Sequence, residues 1–312
     1  MNSGYLQTIL GPVPAADLGL ILPHEHLFTD LRGPHVPDYA QADPQHVVRV
    51  MKPFLQQAEQ AGVTALMECS TVGVGRNIPV LKCLAEQTSI HVIVPTGVYR
   101  DAYIPGSLKE MSIAELAENW IGDITTGMEG TDIRAGFIKL AVSDDGITPL
   151  EIRNLQAAVI ASQRTGVVIA SHTIGGRLFR DEINILSSGG LDLQRFIWVH
   201  ANSEKDKRMH LEAARLGVFV EFDAIGADWQ SQEELLDYTL ALIEAGFSDR
   251  ILLSHDAGWY QPGSPDGLPE AGIRGFTDIV TKFIPGLHSR GVSDKDVELI
   301  TKKNPARAFA IT

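Results

Sequence analysis

Short, nearly continuous apolar runs alternate along this chain with longer stretches whose apolar residues recur every three or four positions. The first pattern suits a strand covered on both faces, the second a helix with one buried stripe. In order, the strand-like runs cover residues 20–27, 64–67, 91–94, 136–142, 167–170, 196–199, 218–222 and 250–254. Helical periodicity covers 44–60, 78–88, 113–125, 149–165, 182–187, 204–216 and 232–245, with a further helix at 276–289. Gly62, Gly166, Gly217, Gly246 and Gly291 fall where helices should end, as residues that accept a left-handed conformation do. Strands alternating with helices argue a parallel sheet, and eight such units in 312 residues predict an α/β protein, a (β/α)8 TIM barrel in a single domain over 1–312. An open doubly wound sheet would also want a glycine-rich phosphate turn after its first strand, and none is there. A short strand and turn in 5–12 and a last helix in 295–310 are left to close the barrel floor.

Chemistry in such a barrel collects at the carboxyl ends of the strands, so those ends are where useful side chains should fall. Alternation along the first strand sends His24 and His26 to one face and Glu25 to the other. The fourth strand carries Lys139 inside an apolar run, and the fifth and sixth end on His172 and His200. After the eighth comes Ser254-His255-Asp256. Four strand-end histidines out of ten in the chain, with a lysine and an aspartate, predict a binuclear metal centre at the C-terminal face of the strands. An ammonium beside two cations is disfavoured by desolvation and repulsion, so Lys139 is expected neutral or modified. A neutral amine adds carbon dioxide, and the carbamate suits a bridge between metals. Two divalent ions against that carbamate, Asp256 and a hydroxide leave about +1, which would stabilise an oxyanion.

Composition narrows the partners. A net charge of −13 disfavours a nucleic-acid backbone or an anionic membrane surface. No run reaches the roughly 18 to 20 apolar residues of a membrane span, and no cleavable signal is visible. The two cysteines, Cys69 and Cys83, lie in apolar segments and suit a reducing compartment, so a cytoplasmic location is expected.

The order Gly11-Pro12, His24-Glu25-His26, Gly136-Phe137-Ile138-Lys139, His172, His200, Ser254-His255-Asp256 and Asn304-Pro305 resembles the phosphotriesterase family of the amidohydrolase superfamily over nearly the whole chain. The resemblance implies that His24, His26 and Asp256 bind the more buried metal and His172 and His200 the more exposed one. Lys139, N6-carboxylated, would bridge them, and Asp256 would take a proton from the attacking hydroxide. Zinc is implied, with cobalt or manganese as substitutes. Tyr99, in Gly97-Val98-Tyr99-Arg100, matches a tyrosine that the lactonase-like branch keeps beside the metals. Those lactonases commonly follow the seventh-strand aspartate with arginine, whereas here Asp223 precedes Ala224. The loop over 257–275 also departs, being rich in glycine and proline, with Trp259, Tyr260 and Arg274 as expected substrate contacts. Arg177 and Arg180, after the fifth strand, are placed to meet an anionic substrate or to form surface salt bridges. A small-molecule ester or lactone is expected first, a small amide second and a phosphotriester third, with a homodimer implied by analogy.

Overall fold

The computed structural model describes residues 4–312. The apolar runs become parallel strands covered on both faces, and Phe137–Ala141 and Phe196–Val199 are buried at every position. One sheet runs, neighbour to neighbour, from Ile251–Leu253 through Phe219–Phe222, Phe196–Val199, Ile169–His172 and Phe137–Ala141 to Pro95–Thr96. The other runs from Gly258–Tyr260 through Leu20–Phe28 and Val63–Glu68 to His91–Ile93. The third barrel strand joins them, since His91–Ile93 and Pro95–Thr96 are separated by Val94 alone. At the other seam the first strand meets the end of the eighth. Ser254 Oγ accepts from His24 N at 2.9 Å, Asp256 N donates to His24 O at 3.2 Å, and His26 N donates to Ala257 O at 2.8 Å. Eight strand positions thus follow one another in sequence order around the (β/α)8 barrel.

Two apolar clusters give the side-chain directions. Ile21, Ala65, Met67, Phe137, Ala170, Ile197, Val199, Phe219 and Leu252 share one cluster, the barrel interior, with Leu6 and Phe309 closing its floor. Leu22, Leu66, Ile138, Leu140, Ile169, Trp198, Val220 and Leu253 pack outward in the other, against the helices. Period-two alternation then points Lys139 inward above Phe137, and Glu221 and Asp223 inward above Phe219. Three of the metal-ligand candidates break that alternation. A register shift between Leu22 and Glu25 turns His24 and His26 inward, and a left-handed φ of 60° at His200 swings its ring back over the barrel.

The helices follow the predicted periods closely. Pro149–Thr165 opens on a capping box of Thr148 and Glu151 and ends at Gly166 with φ 76°. The expected helix at 182–187 is longer, Gly176–Ser188, because Gly175-Gly176 reads as a break. Gly176 is small for a packing reason, since a Cβ there would lie 2.8 Å from Met209. The helix expected at 204–216 is shorter, Lys207–Arg215. The last two helical stretches each contain a π-helical turn, Ile279–Phe283 and Leu299–Lys303. Tyr5–Thr8 pairs antiparallel with Gly11–Pro14, and Tyr5 bridges Ile311, so both chain ends meet under the barrel.

Candidate metal centre

His24, His26, Lys139, His172, His200 and Asp256 converge above the barrel interior and line one cavity of about 80 Å³, with Tyr99 and Trp259 on its wall. The imidazole centroids lie 5.3 Å apart for His24 and His26, 5.1 Å for His24 and His200, and 4.6 Å for His172 and His200. Asp256 Oδ1 is 3.2 Å from His26 Nε2 and 3.7 Å from His24 Nε2. That oxygen is buried and has no hydrogen-bond partner among the described residues. Ligand atoms of His24, His200 and Asp256 all fall within 4.8 Å of one another. An orphaned carboxylate oxygen facing imidazole nitrogens is the arrangement a divalent cation completes, so the donor set fits a metal. Lys139 is 3% exposed on the same cavity. The third strand turns tightly past it at Gly97, φ 105°, where a Cβ would collide with the Lys139 carbonyl.

Buried carboxylates stand behind the rings of the first and sixth strands. His24 Nδ1 is 2.8 Å from Glu221 Oε1, and His200 Nδ1 is 2.9 Å from Asp223 Oδ1, whose other oxygen accepts from His200 N at 2.8 Å. His26 Nδ1 is 2.8 Å from Ser70 Oγ, while Glu68 accepts from Ser70 N at 2.8 Å. Burial pushes His24 down to about 4, and burial with the neighbouring His200 pushes His172 down to about 3. Both rings are therefore neutral near pH 7, the form that ligates. Asp256 stays ionised in spite of its burial, because His26 and the other imidazoles draw its pKa below the usual range. Burial and the adjacent Asp223 raise Glu221 well above the carboxylate range, whereas His200 and His24 hold Asp223 well below it against the effect of burial. Glu25, opposite the histidines as alternation requires, accepts from His255 Nδ1 at 2.6 Å and Ala257 N at 3.0 Å and so staples the Asp256 segment to the first strand.

Around this centre the expected contacts divide. Tyr99 is half-buried, 5.5 Å from the His172 ring, its hydroxyl accepting from Arg100 Nη2 at 2.9 Å. Trp259 sits 5.1 Å from the His26 ring and donates Nε1–H to Asp256 O at 3.1 Å. Tyr260 does not line the cavity, for it stacks on Phe28 at 5.7 Å and bonds His46 at 2.8 Å. Arg274 also lies behind the wall, donating to the carbonyls of His255 at 2.9 Å and Asp256. Arg177 is exposed, facing Asp181 at 3.5 Å, and Arg180 is exposed and paired with Glu212 at 2.6 Å. The sequence assigned no role to Arg100, Asp144, Glu221 or Asp223. The alternating Glu221-Phe222-Asp223 inside a buried strand is a signal that could have found the last two.

The sequence signature of the Phosphotriesterase family matches residues 4–309. The phosphotriesterase homology protein of Escherichia coli (strain K12) is 30% identical over 294 residues, covering 93% of this chain and 98% of its own. The N-acetyltaurine hydrolase of Danio rerio is 29% identical over 346 residues, 97% of each chain. A solved mutant of a PTE-like lactonase from Deinococcus radiodurans superposes with a TM-score of 0.89 at 31% identity, covering 98% of this chain and 100% of that one. No helix of the described residues is long and apolar enough to cross a membrane. With the family match running the length of the barrel and the imidazoles gathered at its mouth, this chain belongs to the phosphotriesterase family and is a metal-dependent hydrolase.

Proposed function

We propose that the protein hydrolyses carboxylic esters or lactones at a two-metal centre. His24, His26 and Asp256 would hold the inner ion, His172 and His200 the outer, and Lys139, as its N6-carboxylate, would supply a ligand to both. The observation that carries this reading is the unpartnered Asp256 Oδ1 facing the Nε2 atoms of His26 and His24. Two divalent cations, zinc for this nitrogen-rich set and cobalt or manganese by substitution, would bring water to a pKa near 7 and polarise a carbonyl. Asp256 is the general base, since its carboxylate is ionised and aimed into the cavity. Tyr99 orients the electrophile. Arg100 donates to its oxygen, which leaves the phenolic proton free for a carbonyl oxygen. A cavity of about 80 Å³ suits a small acyl group, and Ala224 offers no arginine to a longer one.

A small amide bearing an anionic group is the second reading, favoured by the N-acetyltaurine hydrolase relative and by the Arg100 guanidinium 5.0 Å over the Tyr99 ring. The reading extends to a cytoplasmic homodimer, supported by the two free thiols and by analogy; a monomer in light scattering overturns the dimer. The test of function is metal analysis of protein purified without chelators, then γ- and δ-lactones, aryl esters, N-acetyltaurine, N-acyl amino acids and paraoxon on one loaded preparation. Less than about one equivalent of metal, with no activity regained on adding zinc, cobalt or manganese, overturns the ligand assignment. Amides turned over while every lactone and ester fails, or a phosphotriester with the highest kcat/KM, overturns the first substrate class.

A further inference from the structure

The four imidazoles are not held alike. His24, His26 and His200 each turn Nδ1 to a protein partner, respectively Glu221, Ser70 and Asp223, which leaves Nε2 for the cavity. His172 is reversed. Its Nε2 faces Asp144 Oδ1 at 3.2 Å, and Nδ1 is the nitrogen left over. A carboxylate can only accept, so Nε2 carries the ring proton and Nδ1 the lone pair. Arg100 Nη2, 3.4 Å from the same Nε2, is then a second donor in close approach rather than a bonding partner. Asp144 makes that approach tolerable by serving both, since Arg100 Nη1 donates to Asp144 Oδ2 at 2.8 Å.

The anchors differ in exposure as well. The side chains of Glu221 and Asp223 are 1% and 0% exposed, while that of Asp144, on the loop after the fourth strand, is 47% exposed and that of Arg100 25%. An ion pair open to water is weakened by salt in a way that a buried one is not. Partners that fix a ligating imidazole from behind typically govern metal affinity by 10- to 100-fold.

We propose that Asp144, held by Arg100, is a positioning residue that turns His172 to present Nδ1 to the outer metal, and that this solvent-open anchor makes the outer metal the exchangeable one. The inference rests on the ligand assignment made above. Its test is the release of zinc from the loaded full-length protein into a chromophoric chelator. The wild type is expected to hold two equivalents and to release them in two phases. Asp144→Ala should speed the first phase about 10- to 100-fold and leave the second at the wild-type rate. Asp144→Asn, whose amide oxygen still accepts from Nε2–H, should fall between the two. Raising the salt should speed the first phase of the wild type and not that of Asp144→Ala. Both ions leaving Asp144→Ala at wild-type rates, or both accelerated alike, overturns the proposal; if that variant does not fold, Asp144→Asn decides by the same criterion. A wild type that holds fewer than two equivalents overturns the ligand assignment first and this proposal with it.

Discussion

The mouth and the floor of this barrel are built on opposite terms. At the floor, Leu6, Ile21, Phe137, Phe219 and Phe309 fill the interior, with the Phe137 and Phe309 rings edge to face at 5.2 Å. The polar groups there serve the backbone: Arg250 donates to the Gly217 carbonyl at 3.0 Å, and Arg195 caps that of Gly166, each a helix-end residue. At the mouth, Glu25, Glu68, Glu182, Glu221 and Asp223 are all buried, and His200, Asp256 and Trp259 take left-handed φ values of 60°, 49° and 75°. Buried carboxylates and strained non-glycine residues both cost stability. They are kept where they aim side chains at one cavity, so the mouth gives up stability for geometry and the floor supplies it.

That division predicts which end each variant should damage. Asp256→Asn should lower kcat by roughly 10²- to 10⁴-fold, with a much smaller change in KM, because under the proposed mechanism it removes the proton acceptor and an anionic ligand together. Stopped-flow or steady-state assays on metal-loaded protein check it, and an unchanged kcat means that another group is the base. Phe309→Ala, at the floor, should cost about 3–5 kcal/mol in denaturant unfolding while leaving kcat/KM of the folded, loaded enzyme near wild type. A floor variant that loses turnover without losing stability would erase the distinction between the two ends.

Within the mouth, Glu182 links scaffold to site. It is fully buried behind the fifth strand and accepts from Ser171 Oγ at 2.5 Å and from Thr173 Oγ1, the residues flanking His172. Burial pushes its pKa up to about 7 from an ordinary 4.5, outweighing those two hydroxyls. A carboxyl with a raised folded pKa contributes stability that is full below pH 4.5 and is lost as pH rises through 7, since over that window the unfolded chain binds fewer protons. Wild type should therefore lose about 3 kcal/mol relative to Glu182→Gln between those limits. Chemical denaturation of both proteins from pH 4.5 to 8 measures the difference, and parallel pH profiles would show that Glu182 ionises normally.

Much of this was legible because strands write their directions into the sequence. The short apolar runs located every barrel strand, and Lys139, the one charged residue of the fourth run, faces the barrel interior above Phe137. His24 and His26 share a face as expected, but which face depends on a register shift that no residue type announces. The inward swing of His200 likewise depends on a backbone angle seldom taken by residues other than glycine. Asp144 and Arg100 were not legible at all, for they meet through loops 44 residues apart in sequence, where no periodicity operates. Tyr260 and Arg274 share the eighth loop with Trp259, but loop membership does not say which side of the chain faces the cavity.

Arg177 gives the smallest expected effect and the sharpest boundary to the mouth. It lies in the first turn of the Gly176–Ser188 helix, only a few residues beyond His172, so chain position alone would enlist it for an anionic substrate. The structure turns it outward. Its side chain is 66% exposed, 3.5 Å from Asp181 one helical turn on and 3.3 Å from the Asp145 carbonyl. An exposed pair of that spacing is worth only about 0.3–0.5 kcal/mol, less in salt. Arg177→Ala should thus change stability by under about 0.5 kcal/mol and kcat/KM for neutral lactones by less than about twofold. The sharper comparison is with an N-acyl amino acid, whose carboxylate would seek a cation. If Arg177→Ala raised KM for that substrate tenfold or more and left the lactone untouched, the helix after the fifth strand would have to swing over the cavity during binding, and the mouth would extend beyond the walls described above.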